Sequence, residues 1–312
     1  GRKQGLYTGQ GPEVARSVIL ADLQVPAEVY RQVLPESQLV LQPPLGALND
    51  PRPRSAHKGH HGHVLVVGGD HGMSGAVRLA GEAALRVGAG LVSLATRPDH
   101  AALIAAACPE LMSHGVGAAR NLHALLERAT VVVVGPGLGR SRWARELFSW
   151  LLETSLPLVV DADALNLLGR DPAKRDNWVL TPHPGEAGRL LGQPARDIEA
   201  DRFAAIRRLV ANFGGVAVLK GAGTLVSTAS APVAVCTAGN PGMACGGMGD
   251  VLSGVIAGLI AQGLALPQAA TAGVCVHGLA GDRAAVDGER GMKASDVIAG
   301  LRAVMQSGGE PE

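Results

Sequence analysis

One arrangement recurs along this chain and leaves few folds open to it: a short apolar run, a glycine or polar loop, then a helical stretch. His63-Val64-Leu65-Val66-Val67 ends in Gly68-Gly69, and Ser74 to Val87 follows as a helix with Ser74 as its expected N-cap. Leu91 to Ala95 is the next run. Val131 to Val134 leads into Gly135-Pro136-Gly137-Leu138-Gly139, and Leu156 to Val160 into Asp161-Ala162-Asp163. Trp178-Val179-Leu180 leads into Thr181-Pro182-His183-Pro184-Gly185-Glu186, and Val216 to Leu219 into Lys220-Gly221-Ala222-Gly223-Thr224. Helical stretches such as Arg142 to Leu152 and Asp201 to Asn212 lie between. Runs this apolar are buried on both faces, which predicts an α/β fold with a mostly parallel sheet covered by helices on both sides. In such sheets ligands bind at the carboxyl ends of the strands, where each of these loops sits. From Val251 to about Val304 the chain reads as mostly helical.

Composition narrows the function. The net charge of +1 gives no electrostatic case for nucleic acid or an acidic membrane surface, and aromatic residues at 3% supply few stacking platforms. Glycine is abundant at 43 residues and clusters at the ends of apolar runs, which points to tight turns and close backbone approach to a ligand. Cys108, Cys236, Cys245 and Cys275 lie far apart with no metal-ligand spacing and are expected to be reduced and buried. The longest apolar run, Val251 to Leu264, is too short and interrupted to span a bilayer, so a cytoplasmic protein is expected.

Residues 1–50 read differently. They carry prolines at positions including Pro26, Pro35, Pro43 and Pro44 and one strand-like run from Ser17 to Asp22, and Asn49 to Arg54 follows as a linker. The His-rich run His57 to His63 lacks a fixed scaffold and reads as a solvated loop, and His277, in an apolar helical stretch, as a satisfied core histidine.

The stretch with the most chemistry is Gly239-Asn240-Pro241-Gly242-Met243-Ala244-Cys245-Gly246-Gly247-Met248-Gly249-Asp250, followed at once by an apolar helix. Successive glycines let backbone N–H groups turn inward, and the helix adds its own unpaired N–H groups and positive dipole end. This is a cradle for an anion, most naturally phosphate, with Asp250 at its edge to take a proton from an approaching hydroxyl. No Gly-x-x-x-x-Gly-Lys-Ser/Thr loop is present. A bare Gly-x-Gly-Asp would also serve as a helix cap; the glycine approach and the other loops favour a site.

The Gly239 to Gly254 segment resembles the anion hole of ribokinase-like kinases, in which the aspartate is the catalytic base. More narrowly, the ordered set His57-Lys58-Gly59, Gly68 to Ala76, Pro109 to Met112, Gly135 to Gly139, Asp161 to Asn166, Thr181 to Glu186, Lys220 to Thr224 and the glycine turn resembles the ADP- or ATP-dependent NAD(P)H-hydrate dehydratases. The resemblance covers about Ser55 to Val304. It implies a ribokinase-like three-layer sandwich over residues 51–312 and an ADP-dependent (S)-NAD(P)H-hydrate dehydratase, a hydro-lyase that phosphorylates the ring hydroxyl of hydrated NADH or NADPH and eliminates phosphate. The nearest alternative is a small-molecule kinase of the same fold, of the hydroxyethylthiazole kinase type.

The resemblance also implies roles. Asp250 would be the base and contact the hydrate, with Ala76, Gly137 and His183 as further substrate positions. Lys220, Gly221, Ala222, Gly223, Thr224 and Gly249 would hold the nucleotide, and Gly246, Gly247 and Gly249 would form the anion hole. Mg²⁺ is implied on the nucleotide phosphates, with no protein residue assigned to it. Asp161 and Asp163 are open between facing that ion and capping a helix. Ala76 can equally be a packing position and His183 a turn residue. The resemblance further implies a homotetramer. Residues 1–50, through Gly5 to Gly11 and Val18 to Asp22, resemble the end of an NAD(P)H-hydrate epimerase domain plus linker, which implies a piece of a bifunctional repair enzyme.

Overall fold

The six apolar runs are consecutive neighbours in a single sheet, so their carboxyl ends lie side by side. The computed structural model describes residues 3–306 apart from 16, 22 and 34. The strands are β1 Ser37–Val40, β2 His63–Val67, β3 Leu91–Thr96, β4 Met112–Gly115, β5 Val131–Val134, β6 Leu158–Val160, β7 Trp178–Leu180, β8 Val216–Leu219, β9 Thr224–Ser227 and β10 Val233–Cys236. Among the described residues they form one sheet in the order β1-β10-β9-β8-β7-β6-β5-β2-β3-β4. Only β9 runs against the others, through antiparallel ladders to β8 and β10.

Alternation along each strand sends side chains into two cores. From β2, Val64 and Val66 pack with helices Ser74–Arg86, Met248–Ala261, Leu266–Ala284 and Ala294–Gln306. Leu65 and Val67 pack on the other face with Arg142–Leu152, Ala162–Leu168, Pro184–Leu191 and Arg202–Phe213. The helix-sheet-helix sandwich expected from the repeated pattern is the observed architecture.

Several expectations change. Ser17 to Ala21 forms no strand, and Ile19 and Leu20 are exposed; position 22 lies outside the described residues. The amino-terminal strand is instead β1, parallel to β10 from Ser37↔Val233 to Val40↔Cys236. The free edge of β10 accepts the segment that leads directly into the body, where Leu45 is fully buried. β4, β9 and β10 were not foreseen, since β4 is polar and the other two follow a loop read for its chemistry. Ser74 does not cap its helix: the helix begins there, and Met73 takes the cap position without a side-chain bond. Cys245 is exposed in the glycine turn and Cys108 partly exposed, while Cys236 and Cys275 are buried; all four are free thiols. Among the described residues no helix is long and apolar enough to cross a membrane.

Candidate functional site

The glycine turn closes at the carboxyl ends of the parallel strands. Gly247 has φ +91°, and a Cβ there would lie 2.7 Å from Leu79 Cδ1 and 3.1 Å from Ala294 Cβ. A bare Cα is thus required on both conformational and steric grounds. Gly247 is the N-cap of helix Met248–Ala261, which places Gly249 and Asp250 in the first turn, beside the unpaired N–H groups. The approach is pinned from below. The Asp282 carboxylate accepts from Gly239 N–H at 2.9 Å and from Asn240 Nδ2 at 3.1 Å, and Asn240 Oδ1 accepts from Gly242 N–H at 3.0 Å.

Three neighbouring strand ends meet this turn. Asp161, after β6, is 1% exposed, and its Oδ1 accepts from Lys220 Nζ at 2.8 Å and from Thr181 Oγ1 at 2.8 Å. Lys220, after β8, also lies 3.8 Å from Glu186 Oε2. After β7, Glu186 Oε2 accepts from His183 N–H at 2.9 Å and His183 Nδ1 accepts from Gly185 N–H at 3.0 Å, a reciprocal cap on helix Pro184–Leu191. A Cβ on Gly249 would stand 3.1 Å from Lys220 Nζ and 3.5 Å from Asp161 Oδ2. The turn therefore rests directly on the Lys220–Asp161 pair.

These charges set the protonation of the site. Burial, with Asp161, Asp163 and Glu186 nearby, pushes Asp250 up to about 7, although Lys220 pulls the other way. Burial also raises Glu186, against the pull of Lys220. For Lys220 itself burial disfavours the ammonium, but Asp161, Glu186 and Asp250 outweigh it and its pKa lies above the ordinary value. Burial, Lys220 and Arg189 hold His183 below the usual imidazole range. Asp250 is thus a carboxylate poised to gain or lose a proton near neutrality, the property a general base needs.

Of the alternatives left open for Asp161 and Asp163, helix capping is not observed: neither side chain makes a capping bond. Ala162 between them has φ +47°, a strained value for a residue with a side chain, so the two carboxylates diverge. Asp161 occupies the N-cap position of helix Ala162–Leu168 without a side-chain capping bond and serves Lys220 instead. Asp163 Oδ2 accepts from Gly139 N–H at 2.9 Å and so fixes the Gly135–Gly139 loop. In that loop a Cβ on Gly137 would meet Ala76 Cβ at 3.1 Å, so Gly137 and Ala76 stand face to face. The Lys220–Thr224 segment is held by Thr224 Oγ1 donating to Gly221 O and by Arg202 Nη2 donating to Leu219 O and Lys220 O. Gly9 N–H donates to Ala222 O at 3.0 Å, so the chain's amino-terminal segment touches this loop, a contact not foreseen. Beside it a cavity of about 690 Å³ is lined by residues including Thr8, Arg202 and Ala222.

Two residues near the site were not assigned. Glu186 was visible in its loop, but no local pattern announces its burial beside Lys220. His277 is corrected: it is buried, but its Nε2 has no hydrogen-bond partner among the described residues. Burial and the neighbouring Lys220 push it down to about 4, so it is neutral. His57 accepts from Gly59 N–H and caps the short turn Lys58–His61. Among the described residues no group of three or more His, Cys, Asp or Glu side chains is arranged to hold a metal.

A model of the NAD(P)H-hydrate dehydratase family matches residues 64–302, and with them every strand-end loop just described. The chain belongs to that family. It is 53% identical over 304 residues to a bifunctional NAD(P)H-hydrate repair enzyme of Coxiella burnetii, covering 97% of this chain and 62% of that one. The chain therefore spans about three-fifths of that relative's length. An ADP-dependent (S)-NAD(P)H-hydrate dehydratase of Neisseria meningitidis is 42% identical over 240 residues, 74% of this chain and 80% of that one. Among solved structures, an ADP/ATP-dependent NAD(P)H-hydrate dehydratase from Bacillus subtilis co-crystallised with ATP and Mg²⁺ superposes with a TM-score of 0.73 at 29% identity, covering 81% of this chain and 92% of that one.

Proposed function

We propose that this chain is an ADP-dependent (S)-NAD(P)H-hydrate dehydratase. The observation that carries the reading is Asp250, a carboxylate raised to about 7 in the first turn of a helix, beside glycines that rest on the Lys220–Asp161 pair. The Coxiella, Neisseria and Bacillus relatives favour the dehydratase over a simple kinase. In this reading Asp250 takes the proton of the ring hydroxyl as that oxygen bonds to the terminal phosphoryl group of the nucleotide, which departs as AMP from ADP. Phosphate is a far better leaving group than hydroxide. The ring nitrogen expels it, and loss of a proton from the neighbouring carbon restores the double bond.

The remaining assignments follow the same reading. Gly246, Gly247 and Gly249 offer N–H groups to the transferred phosphoryl group. Lys220, Gly221, Ala222, Gly223 and Thr224 take the nucleotide, and Ala76, Gly137 and His183 the dinucleotide. Mg²⁺ fits as an ion carried by nucleotide phosphates and water rather than by a protein cage, since no metal-holding cluster occurs among the described residues while Asp161 Oδ2 is a hard oxygen near Gly249. It would neutralise phosphate charge. Residues 1–50 as an epimerase remnant, assembly as a homotetramer and a cytoplasmic setting belong to the same reading.

The test is direct. The chain is incubated with hydrated NADH, Mg²⁺ and either ADP or ATP, and recovery of reduced-nicotinamide absorbance is followed. The expected result is recovery with release of phosphate, faster with ADP. No recovery with either nucleotide from folded protein defeats the reading. Accumulation of a phosphorylated hydrate without recovery of absorbance would indicate a kinase.

A further inference from the structure

Two arginines flank the site without serving the chemistry just described. Arg140 follows the Gly135–Gly139 loop; its side chain is 49% exposed and its Nε lies 3.8 Å from Asp163 Oδ1. Arg189, exposed on helix Pro184–Leu191, donates through Nε to Asn166 Oδ1 at 2.6 Å. Asn166 Nδ2 in turn donates to Asp163 Oδ1 at 3.4 Å. One face of helix Ala162–Leu168 thus holds both guanidiniums through a continuous Arg140–Asp163–Asn166–Arg189 chain. Only the Nε groups are engaged; among the described residues no hydrogen bond takes the Nη groups of either arginine.

Their neighbours say which anion they meet. Arg140 adjoins Gly139, two residues from Gly137. Arg189 lies close enough to His183 to lower its pKa, and its Nη1 lies 3.8 Å from where a Gly185 Cβ would be. Gly137 and His183 are two of the positions read as touching the dinucleotide. The nucleotide loop, by contrast, meets the turn at Lys220 and Gly249. We infer that Arg140 and Arg189 form a rim that binds the diphosphate bridge of the dinucleotide, an inference that rests on the dehydratase reading. A forked guanidinium with free Nη donors suits a diphosphate oxygen pair, and the Asp163–Asn166 anchor limits the entropy lost on binding.

The test uses equilibrium binding of NADH, which carries the diphosphate, to the intact chain and to Arg140→Gln, Arg189→Gln and the double variant. Each single change is expected to weaken NADH binding about tenfold and the pair about a hundredfold, the scale of charge-assisted hydrogen bonds. Binding of reduced nicotinamide mononucleotide, which lacks the bridge, is expected to change by about twofold or less, and Arg→Lys to recover part of the loss. In turnover of hydrated NADH the change is expected in KM, with kcat and the KM for ADP within about twofold. Unchanged NADH affinity in a folded double variant overturns the rim, as does a loss of ADP affinity in place of NADH affinity. Because binding is read without catalysis, a wild-type chain that binds NADH through this rim yet fails to turn over the hydrate would refute the activity and leave the rim standing.

Discussion

At Asp250 three carboxylates and one ammonium compete, and the balance is measurable. Turnover needs the ionised form, so kcat/KM is expected to rise with pH through a limb near 7. The neighbours act in opposite directions. Asp161 raises Asp250, so Asp161→Asn should move the limb to lower pH; Lys220 lowers it, so Lys220→Met should move the limb higher. Both limbs moving the same way, or neither moving, would separate the pH dependence from Asp250. The same shift bears on stability. Folded Asp250 stays protonated to about pH 7, whereas in the unfolded chain it ionises near 4. Between these values the unfolded state binds fewer protons, so this group's contribution is complete below about 4 and is lost as pH rises through 7. Asp250→Asn should therefore stabilise the chain at pH 8 by on the order of 1–4 kcal/mol, with little gain at pH 4, while slowing turnover by about 100-fold or more. Thermal melts at the two pH values read the difference directly.

The next scale explains why glycine is so abundant away from the turn. Helix Met248–Ala261 crosses helix Ser74–Arg86 with almost no space between backbones. A Cβ on Gly254 would come 2.0 Å from Ala80 O, and one on Gly258 2.5 Å from Val87 Cγ2. This crossing seats Asp250, since any lift of the helix carries its first turn away from Lys220. Gly254→Ala is expected to cost about 2–4 kcal/mol and to lower kcat, because the obstruction is a backbone carbonyl that cannot swing aside. Gly75→Ala, in the open first turn of helix Ser74–Arg86, should be neutral or slightly stabilising when both variants are unfolded in denaturant. Equal losses at both positions would rule out close packing as the cause.

At this scale the limits of the sequence also become visible. Runs such as Val131 to Val134 announce strands because burial on both faces leaves no polar position to obscure them. Met112–Gly115 could not be found that way, since an edge strand needs no apolar run. The glycine turn and its aspartate were legible as an anion cradle, whereas Glu186 and His277 reach the site through packing of separate elements. Ser74 misled because a serine at a helix start marks a cap only when the residue itself stays outside the helix.

For the whole molecule, the sheet's outer limit decides which part of the amino-terminal segment the fold requires. Val14, Ile19, Leu23 and Val33 are all exposed, so the described residues from Gly11 to Val33 bury little against the body, whereas Tyr7 packs against the core and Thr8 is buried. The first ten residues also contribute hydrogen bonds: Gln4 Nε2 donates to Ser37 Oγ, and Gly9 N–H to Ala222 O. From Glu36 onward the chain is structural. Glu36 O accepts from Val233 N–H, β1 covers the edge of β10, and Leu45 is fully enclosed. A chain beginning at Pro35 loses the Gln4 and Gly9 bonds and the Tyr7 packing, together about 2–3 kcal/mol, and is therefore expected to melt no more than about 10 °C below the full chain. One beginning at Asp50 loses the Leu45 side chain, about 2–5 kcal/mol alone, and leaves the β10 edge open to pairing with other chains. It should melt well below the Pro35 form and aggregate on heating, as calorimetry with light scattering would detect. Equal melting of the two shortened chains would mean that β1 is dispensable and that the sheet effectively ends at β10.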